Sequence, residues 1–178
     1  MLQRTRATQV EPVFRRFRDR YPTPEALARE SEAGLLKTTG SLGLRWRAPL
    51  MIKMAQAVAE HGRVPDEYGA LTQLPGVGPY AASAFLSLHR DVRAPIVDAN
   101  VVRMVGRILG IETDAETRRK AWLLEAVERL TPKKSFRDFN YALLDLSMTV
   151  CRSKPACPSC PLAPKLCAYA AERKTARP

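Results

Sequence analysis

The chain contains the heptapeptide Leu74-Pro75-Gly76-Val77-Gly78-Pro79-Tyr80, which lies between two helical patterns, one beginning at Asp66 and one running from Pro79 through Leu88. Glycine has no β-carbon, so we expect Gly76 and Gly78 to take positive φ values and to let the backbone approach a ligand closely. The turn's N–H groups and the start of the following helix together offer an anion site. Gly76, Val77 and Gly78 are therefore predicted to contact a phosphate, and the alternative is a tight turn between core helices.

The net charge of the whole chain agrees with a polyanionic partner. Its 178 residues carry 29 Lys and Arg against 18 Asp and Glu, a net charge of +11. Such a surplus suits nucleic acid or an acidic membrane surface, and the alternative is a solvated basic surface. No apolar run approaches the ~20 residues of a membrane span, and no signal peptide opens the chain. We therefore expect a protein without a membrane-embedded part, located in the cytoplasm.

Helical periodicity recurs along the whole chain and predicts an all-α protein. Stripes of apolar residues favour helices over 49–59, 121–130 and 136–150, and a further helix follows Asp98. No stretch alternates with period two for long enough to predict a strand. The residues after Cys167 are polar and are expected to fray.

Four cysteines lie close together near the end of the chain, in the pattern Cys151-x5-Cys157-x2-Cys160-x6-Cys167. In a reducing compartment such a group is more typical of metal ligands than of disulfides. Structural zinc usually draws on two closely spaced pairs, whereas an iron–sulfur cluster tolerates longer loops. The spacing favours an iron–sulfur cluster, with zinc, disulfides and free thiols as the alternatives.

The order of these motifs resembles the endonuclease III superfamily of DNA glycosylases, over nearly the whole chain. The hairpin is followed by Val97-Asp98-Ala99-Asn100, and a segment over 139–146 leads into the cysteines. The resemblance implies an all-α, two-lobed helix-hairpin-helix glycosylase fold with a C-terminal 4Fe-4S cluster loop. Residues 1–90 would form a helical barrel lobe whose helix-hairpin-helix spans about 66–88, and residues 91–178 a cluster lobe without its usual N-terminal helix. The family's usual cysteine spacing is C-x6-C-x2-C-x5-C, so this chain exchanges the two outer intervals.

The resemblance also assigns catalytic roles to Asp98, Tyr80 and Asn100. Asp98 matches the family's essential aspartate, which would stabilise positive charge on the sugar after the base is flipped out of the duplex; by itself it would pass for a helix cap. Asn100 would orient Asp98. Tyr80 stands where members that also cut the strand place a lysine, and a phenol forms no Schiff base. Tyrosine there resembles the thymine–guanine mismatch glycosylases, whereas adenine glycosylases usually carry serine; the alternative is a core aromatic.

Two further segments are expected to contact DNA. The segment at residues 2–5 matches the one that enters the gap left by the flipped base, with Gln3 as the wedge and Arg4 beside it. Both residues would otherwise pass for solvent-facing helix residues. In the cluster loop, Arg152 and Lys154 are predicted to contact the phosphate backbone.

The function implied is a monofunctional DNA N-glycosylase of base excision repair, without strand-cutting activity, that removes thymine or uracil mispaired with guanine. Its partner would be double-stranded DNA carrying a mismatched or damaged base, and it would act as a monomer at the nucleoid. One alternative is an adenine glycosylase. However, the glutamate that adenine glycosylases use to protonate the base would precede Met1, and their extra C-terminal domain has no counterpart after the cysteines. The second alternative, if the N-terminus is truncated, is a non-catalytic DNA-binding module.

Overall fold

The computed structural model describes residues 1, 5–43, 45–163 and 165–175, and no strand occurs among them. This part of the chain forms ten α-helices: α1 (Ala7–Arg20), α2 (Pro24–Ala28), α3 (Glu32–Thr39), α4 (Ala48–His61), α5 (Tyr68–Gln73), α6 (Pro79–His89), α7 (Ala99–Leu109), α8 (Ala121–Leu130), α9 (Phe136–Asp145) and α10 (Ala168–Thr175). Short 3₁₀ turns and one π-helical segment connect some of them. The all-α prediction is confirmed. Within the described residues, no helix has the length and apolar character needed to cross a membrane.

The helices group into two compact units, Met1–Gly78 and Pro79–Pro178. The division predicted from the sequence, after residue 90, lies twelve residues further along the chain. Helix α6 belongs with the second unit because it packs against α9, where the Nδ2 of Asn140 donates a 2.7 Å hydrogen bond to Ser87 Oγ.

The first unit is built by capped helices around a small apolar core. Thr23 caps α2 by accepting from Ala26 N–H, and Ser31 caps α3 by accepting from Gly34 N–H. The core of this unit contains Tyr21, Leu27, Leu35, Ala48 and Ala55.

A carboxylate ties α1 to the start of α3. Glu30 accepts hydrogen bonds from Tyr21 Oη at 2.8 Å, from Ser31 N–H at 2.8 Å and from Arg20 Nη2 at 3.0 Å. These bonds, that of Tyr21 above all, lower the pKa of Glu30 to about 2. The contact therefore depends on the ionised carboxylate.

Helix α7 is the centre of the second unit. One side of it buries Val101, Val102, Met104 and Val105 against α8 and α9. Its start after Asp98 follows the sequence prediction, and it ends at Gly110, which has a left-handed φ of 69°. Because apolar packing fixes α7, the polar side chains on its other side have defined positions.

The end of α9 differs from the single helix predicted over residues 136–150. From Leu146 to Val150 the backbone is π-helical, and Cys151 N–H donates to Leu146 O at 2.8 Å, one residue further back than in an α-helix. The carbonyl of Ser147, which an α-helix would pair with that N–H, instead accepts from Arg103 Nη2 at 2.9 Å. π-Helical turns of this kind often occur at functional sites.

The prediction that residues after Cys167 fray is wrong for residues 168–175, which form α10; residues 176–178 lie outside the described part of the chain. Ala170 is buried, and the ring of Tyr169 stacks with the guanidinium of Arg107 at 5.0 Å from the ring centroid. Contacts with α7 therefore order a segment that its own composition would leave loose.

Candidate active site and cysteine cavity

The carboxylate of Asp98 is held at the N-terminus of α7 by three hydrogen bonds. Oδ1 accepts from the backbone N–H groups of Asn100 and Val101, and Oδ2 accepts from the side-chain Nδ2 of Asn100, each at 2.8 Å. The positive end of the helix dipole adds to these bonds in stabilising the negative charge. Asp98 is thus a helix cap, as its position in the sequence indicated, and these three hydrogen bonds fix the orientation of its carboxylate.

A chain of side chains continues from Asp98 towards the cysteines. Oδ1 of Asn100 accepts from Arg103 Nη1 at 3.1 Å. Arg103 in turn donates through Nε and Nη2 to the carbonyl of Cys151, at 3.1 and 3.0 Å, as well as to the Ser147 carbonyl that the π-helical segment makes available. The residue expected to orient Asp98 therefore does contact it, and is itself held by a cation.

Tyr80 lies in the first turn of α6 and is half-exposed. Burial, and then the nearby charge of Asp98, raise the pKa of its phenol above the ordinary value. A less polar environment and an adjacent anion both disfavour the phenolate, so each raises the pKa of the phenol. Tyr80 therefore remains a neutral hydroxyl close to Asp98.

The hairpin turn is an exposed connection between α5 and α6. Gly76 has φ 79°, and a β-carbon there would approach the Cβ of Leu50 to 3.2 Å, so this position requires glycine. The expectation of a positive φ is wrong for Gly78, which takes none. A β-carbon at Gly78 would meet nothing within 4 Å, so its surface is open to an external group. Val77 N–H donates to Leu74 O at 3.1 Å and closes the turn.

The four cysteines line one small, partly open cavity of about 20 Å³, whose wall also includes Arg107 and Tyr169. None of the four forms a disulfide bond in the structure described. Among the described residues, no three His, Cys, Asp or Glu side chains are arranged to bind one metal ion. A single zinc ion needs its ligands about 2.0–2.3 Å from one point, whereas a cubic cluster takes each thiolate on a different iron. Four thiols around one cavity are the donor set that an iron–sulfur cluster uses.

Arg107 holds the first part of the cysteine loop. Its guanidinium donates to the carbonyls of Arg152 at 2.7 Å and Ser153 at 3.0 Å, and Nη1 lies 3.6 Å from Cys151 Sγ. At the far end of the loop, Cys167 Sγ donates to the Arg107 carbonyl at 3.5 Å. One residue of α7 thus touches both ends of the loop and supplies a cation that suits thiolate ligands.

The structure describes only some of the residues predicted to contact DNA. Gln3 and Arg4 lie outside the described residues. Arg152 and Lys154 have exposed side chains on the cysteine loop, and Arg152 Nε donates to the Lys154 carbonyl at 3.2 Å. Both cations are therefore at the surface, as a phosphate contact requires.

Sequence reasoning missed Arg103 and Arg107. The signal was present, since Asn100, Arg103 and Arg107 follow one another at spacings of three and four and so share one face of α7. Most of their partners are backbone carbonyls of residues 147–153, which no side-chain pattern marks. Only the fold brings these carbonyls to the helix.

Comparison with known proteins identifies the family. The protein-family model described as "HhH-GPD superfamily base excision DNA repair protein" matches residues 1–129 of this chain. The chain belongs to the HhH-GPD superfamily. Its activity is that of a DNA glycosylase, a hydrolase that acts on the N-glycosidic bond.

Three relatives illustrate the range of this superfamily. The chain is 33% identical to a thymine/uracil-DNA glycosylase of Pyrobaculum aerophilum, with 98% of the chain and 79% of that protein aligned. It is 35% identical to a thymine-DNA glycosylase of Aeropyrum pernix, over 91% of the chain and 76% of the relative. An adenine DNA glycosylase of Mycobacterium tuberculosis is 37% identical over 91% of the chain, which spans only 55% of that protein.

Solved structures of the HhH-GPD superfamily share the fold. A thermostable thymine-DNA glycosylase superposes with a TM-score of 0.88 at 33% identity, covering 96% of this chain and 80% of the other. A non-covalent complex of endonuclease III with DNA gives a TM-score of 0.84 at 26% identity, covering 97% and 80%. These similarities confirm the predicted glycosylase fold and support DNA binding.

Proposed function

We propose that this chain is a monofunctional glycosylase that removes thymine or uracil opposite guanine. The observation that carries the proposal is the pairing of a rigid carboxylate, Asp98, with a neutral tyrosine, Tyr80. The relatives from P. aerophilum and A. pernix, which are thymine or thymine/uracil glycosylases, support the choice of substrate.

Asp98 supplies the electrostatic part of the reaction. As the bond between sugar and base breaks, positive charge develops on the sugar, and a fixed anion stabilises that charge without having to reorganise. The hydrogen bonds from Asn100 and Val101 hold the carboxylate in one orientation. Its second role is to orient a water molecule towards the same sugar carbon.

Tyr80 determines what the enzyme does not do. Cleavage of the strand by this family's bifunctional chemistry needs an amine that forms an imine with the sugar. The phenol at residue 80 has no such chemistry, and its raised pKa keeps it protonated. The product is therefore an abasic site in an intact strand, and Tyr80 lines the pocket for the flipped base.

The remaining predicted residues hold the DNA. Gly76, Val77 and Gly78 form the turn that approaches one phosphate, with the Val77 N–H closing the turn, while Arg152 and Lys154 add charge contacts that carry no sequence information. Gln3 and Arg4 fill the gap in the duplex. The enzyme acts as a monomer on double-stranded DNA with a mismatched or damaged base, in the cytoplasm at the nucleoid.

A 4Fe-4S cluster is the cofactor that suits the cysteine cavity. Cys151, Cys157, Cys160 and Cys167 would bind it, and Arg107 would offset part of their negative charge. When bound, such a cluster cross-links the loop and can exchange an electron. Helix α7 connects this loop to Asp98 through Arg103, so the loop supports the position of the catalytic group.

The decisive experiment incubates the purified protein with labelled duplexes containing T:G, U:G, A:G or A:8-oxoguanine, followed by alkali. We expect cleavage after alkali with T:G and U:G only, no cleavage without alkali, and no borohydride-trapped complex. Tyr80→Phe is the matched control and should remain untrapped, whereas Tyr80→Lys introduces the amine. Excision of adenine instead would assign the adenine glycosylase function, and binding without excision of any base would identify a non-catalytic module.

A further inference from the structure

Asn140 is a polar side chain in the core of the second unit. It lies on α9, is completely buried, and donates from Nδ2 to Ser87 Oγ at 2.7 Å and to the Ala94 carbonyl at 3.0 Å. Since a carbonyl only accepts, the NH₂ group must face Ala94, and this fixes which way round the amide lies. One side chain therefore joins α9 both to α6 and to the segment that precedes Asp98.

The other end of this amide is not paired. Within the part of the chain that the structure describes, the buried Oδ1 of Asn140 accepts no hydrogen bond from a protein group. An amide buried in this way is unfavourable compared with an apolar side chain, which leaves no acceptor unpaired. A core position that breaks the packing rules is typical of a functional constraint. The constraint on Asn140 must lie in the two bonds that Nδ2 donates.

The bond to Ser87 fixes the rotation of α6 about its own axis. Ser87 is also completely buried, and it follows Tyr80 on the same helix by seven residues. Residues seven apart lie on the same face of a helix, about 10 Å apart along its axis. Rotation of α6 would therefore break the bond to Asn140 and turn the Tyr80 side chain away from its present direction.

The bond to Ala94 holds the segment that leads into α7. Residues 90–98 form neither helix nor strand, so side-chain contacts must fix their path. Arg93 donates to the Thr131 carbonyl at 2.7 Å from one side of this segment, and Asn140 donates to the next residue, Ala94. Ala94 precedes Asp98 by four residues, so its position determines where the carboxylate lies.

We propose that Asn140 is a positioning residue that sets the spacing between Tyr80 and Asp98. The inference rests on the proposed function, because it assumes that these two side chains face the flipped nucleotide. A single buried amide bonds the helix that carries Tyr80 and the segment that carries Asp98, so neither can shift without breaking a bond to it. Misplacement of a catalytic group by about 1 Å lowers a rate by about a hundredfold, so a residue without contact to DNA controls the rate of excision.

The first test compares Asn140→Ala, which removes both bonds, with Ser87→Ala, which removes only the bond to α6. Single-turnover excision is measured on T:G and U:G duplexes, and affinity is measured on a duplex with a tetrahydrofuran abasic analogue opposite guanine. Asn140→Ala should slow excision by about a hundredfold without a change in affinity. Ser87→Ala should show a smaller loss, and the double variant should be no slower than Asn140→Ala, because both changes act through one bond.

The pKa of the Tyr80 phenol gives a second readout, which needs no excision. Burial, and then the charge of Asp98, raise this pKa, so a wider spacing should lower it towards the ordinary value. Carbon-13 NMR of labelled tyrosine in the free protein measures it, and Tyr80→Phe assigns the signal. Asn140→Ala should lower the pKa of Tyr80, in the same direction as Asp98→Asn.

Thr131→Val is the matched control in the same unit. Thr131 is buried and its Oγ1 donates to the Val127 carbonyl at 2.7 Å, so the variant loses a buried hydrogen bond and keeps both bonds of Asn140. It should excise at the wild-type rate with an unchanged pKa of Tyr80. A purely structural role for Asn140 would lower stability in both variants and leave excision and the pKa of Tyr80 unchanged in both.

Two further outcomes are decisive. Wild-type excision and a wild-type pKa of Tyr80 in Asn140→Ala would overturn the proposal, and if that variant does not fold, Ser87→Ala is judged by the same two measurements. A lowered pKa of Tyr80 in Asn140→Ala, combined with a wild-type protein that excises no base, would retain the positioning role and refute the proposed function.

Discussion

Exchanging Asp98 and Asn100 separates the charge of the carboxylate from the hydrogen bonds that hold it. In Asp98→Asn, the new Oδ1 still accepts from the two backbone N–H groups, but an NH₂ replaces the oxygen that faced Asn100 Nδ2. Two donors then face each other. If the Asn100 amide turns over to relieve this, its own NH₂ faces Arg103 Nη1, so the conflict moves along the chain without disappearing.

The size of both effects follows from this geometry. A fully buried donor left without an acceptor costs about 1–3 kcal/mol. Asp98 and Asn100 are only part-buried, so Asp98→Asn should lower the free energy of unfolding of the second unit by no more than that amount. The catalytic loss is separate: an anion about 4 Å from a developing cation contributes about 4 kcal/mol at an effective dielectric constant of 20. We therefore expect a loss of about a thousandfold in the excision rate.

The double variant Asp98→Asn with Asn100→Asp restores the hydrogen bonds without restoring the charge at residue 98. A carboxylate at residue 100 accepts from both the new amide at residue 98 and the guanidinium of Arg103, and it remains near the positive end of α7. The double variant should therefore recover most of the stability lost in Asp98→Asn while remaining catalytically inactive. Urea unfolding measures the first quantity, and single-turnover excision on T:G and U:G duplexes measures the second.

Two results would contradict this account. Near-normal excision by either variant would reduce Asp98 to a helix cap. A double variant no more stable than Asp98→Asn would show that the chain from Asp98 through Asn100 to Arg103 does not hold in solution. Asn100→Ala is the control, since it removes the middle of the chain and leaves the charge of Asp98 in place.

Three other sets of variants test the hairpin, the first unit and the cysteine loop. Gly76→Ala should lower the free energy of unfolding by about 1–2 kcal/mol, because the φ of residue 76 is left-handed. Gly78→Ala should leave the stability of the protein unchanged and weaken DNA binding, because the surface at residue 78 is open. Denaturation and DNA-binding assays distinguish the two effects. Glu30, whose pKa is lowered to about 2, stabilises the first unit above the unfolded pKa near 4.5, so stability should fall as the pH drops towards 2, and Glu30→Gln should flatten that dependence in pH-resolved unfolding. Arg107→Gln should speed amide hydrogen exchange in residues 151–160, because the bonds to the Arg152 and Ser153 carbonyls are lost. Arg107→Lys should keep only part of the wild-type protection, since one ammonium cannot reach both carbonyls as the guanidinium does.

Local sequence was sufficient to predict the helical class, most helix boundaries and the order of the motifs. These features depend on local chemistry. The side chains of Thr23 and Ser31 each accept a hydrogen bond from the N–H three residues further along and so cap their helices, and Gly110 ends α7 with a left-handed φ. Asp98 also followed from local sequence, because a cap is defined by its position before a helix.

Other features come from the packing of the helices and could not be read from any local pattern. The helix of residues 168–175 is ordered by α7, and the π-helical segment before Cys151 makes available a carbonyl that Arg103 binds from another helix. The unit boundary falls before α6 because Asn140, more than fifty residues further along, bonds Ser87. Each of these features depends on contacts distant in sequence, often with backbone carbonyls, and a carbonyl has the same chemistry at every residue, so only the fold selects which one is used.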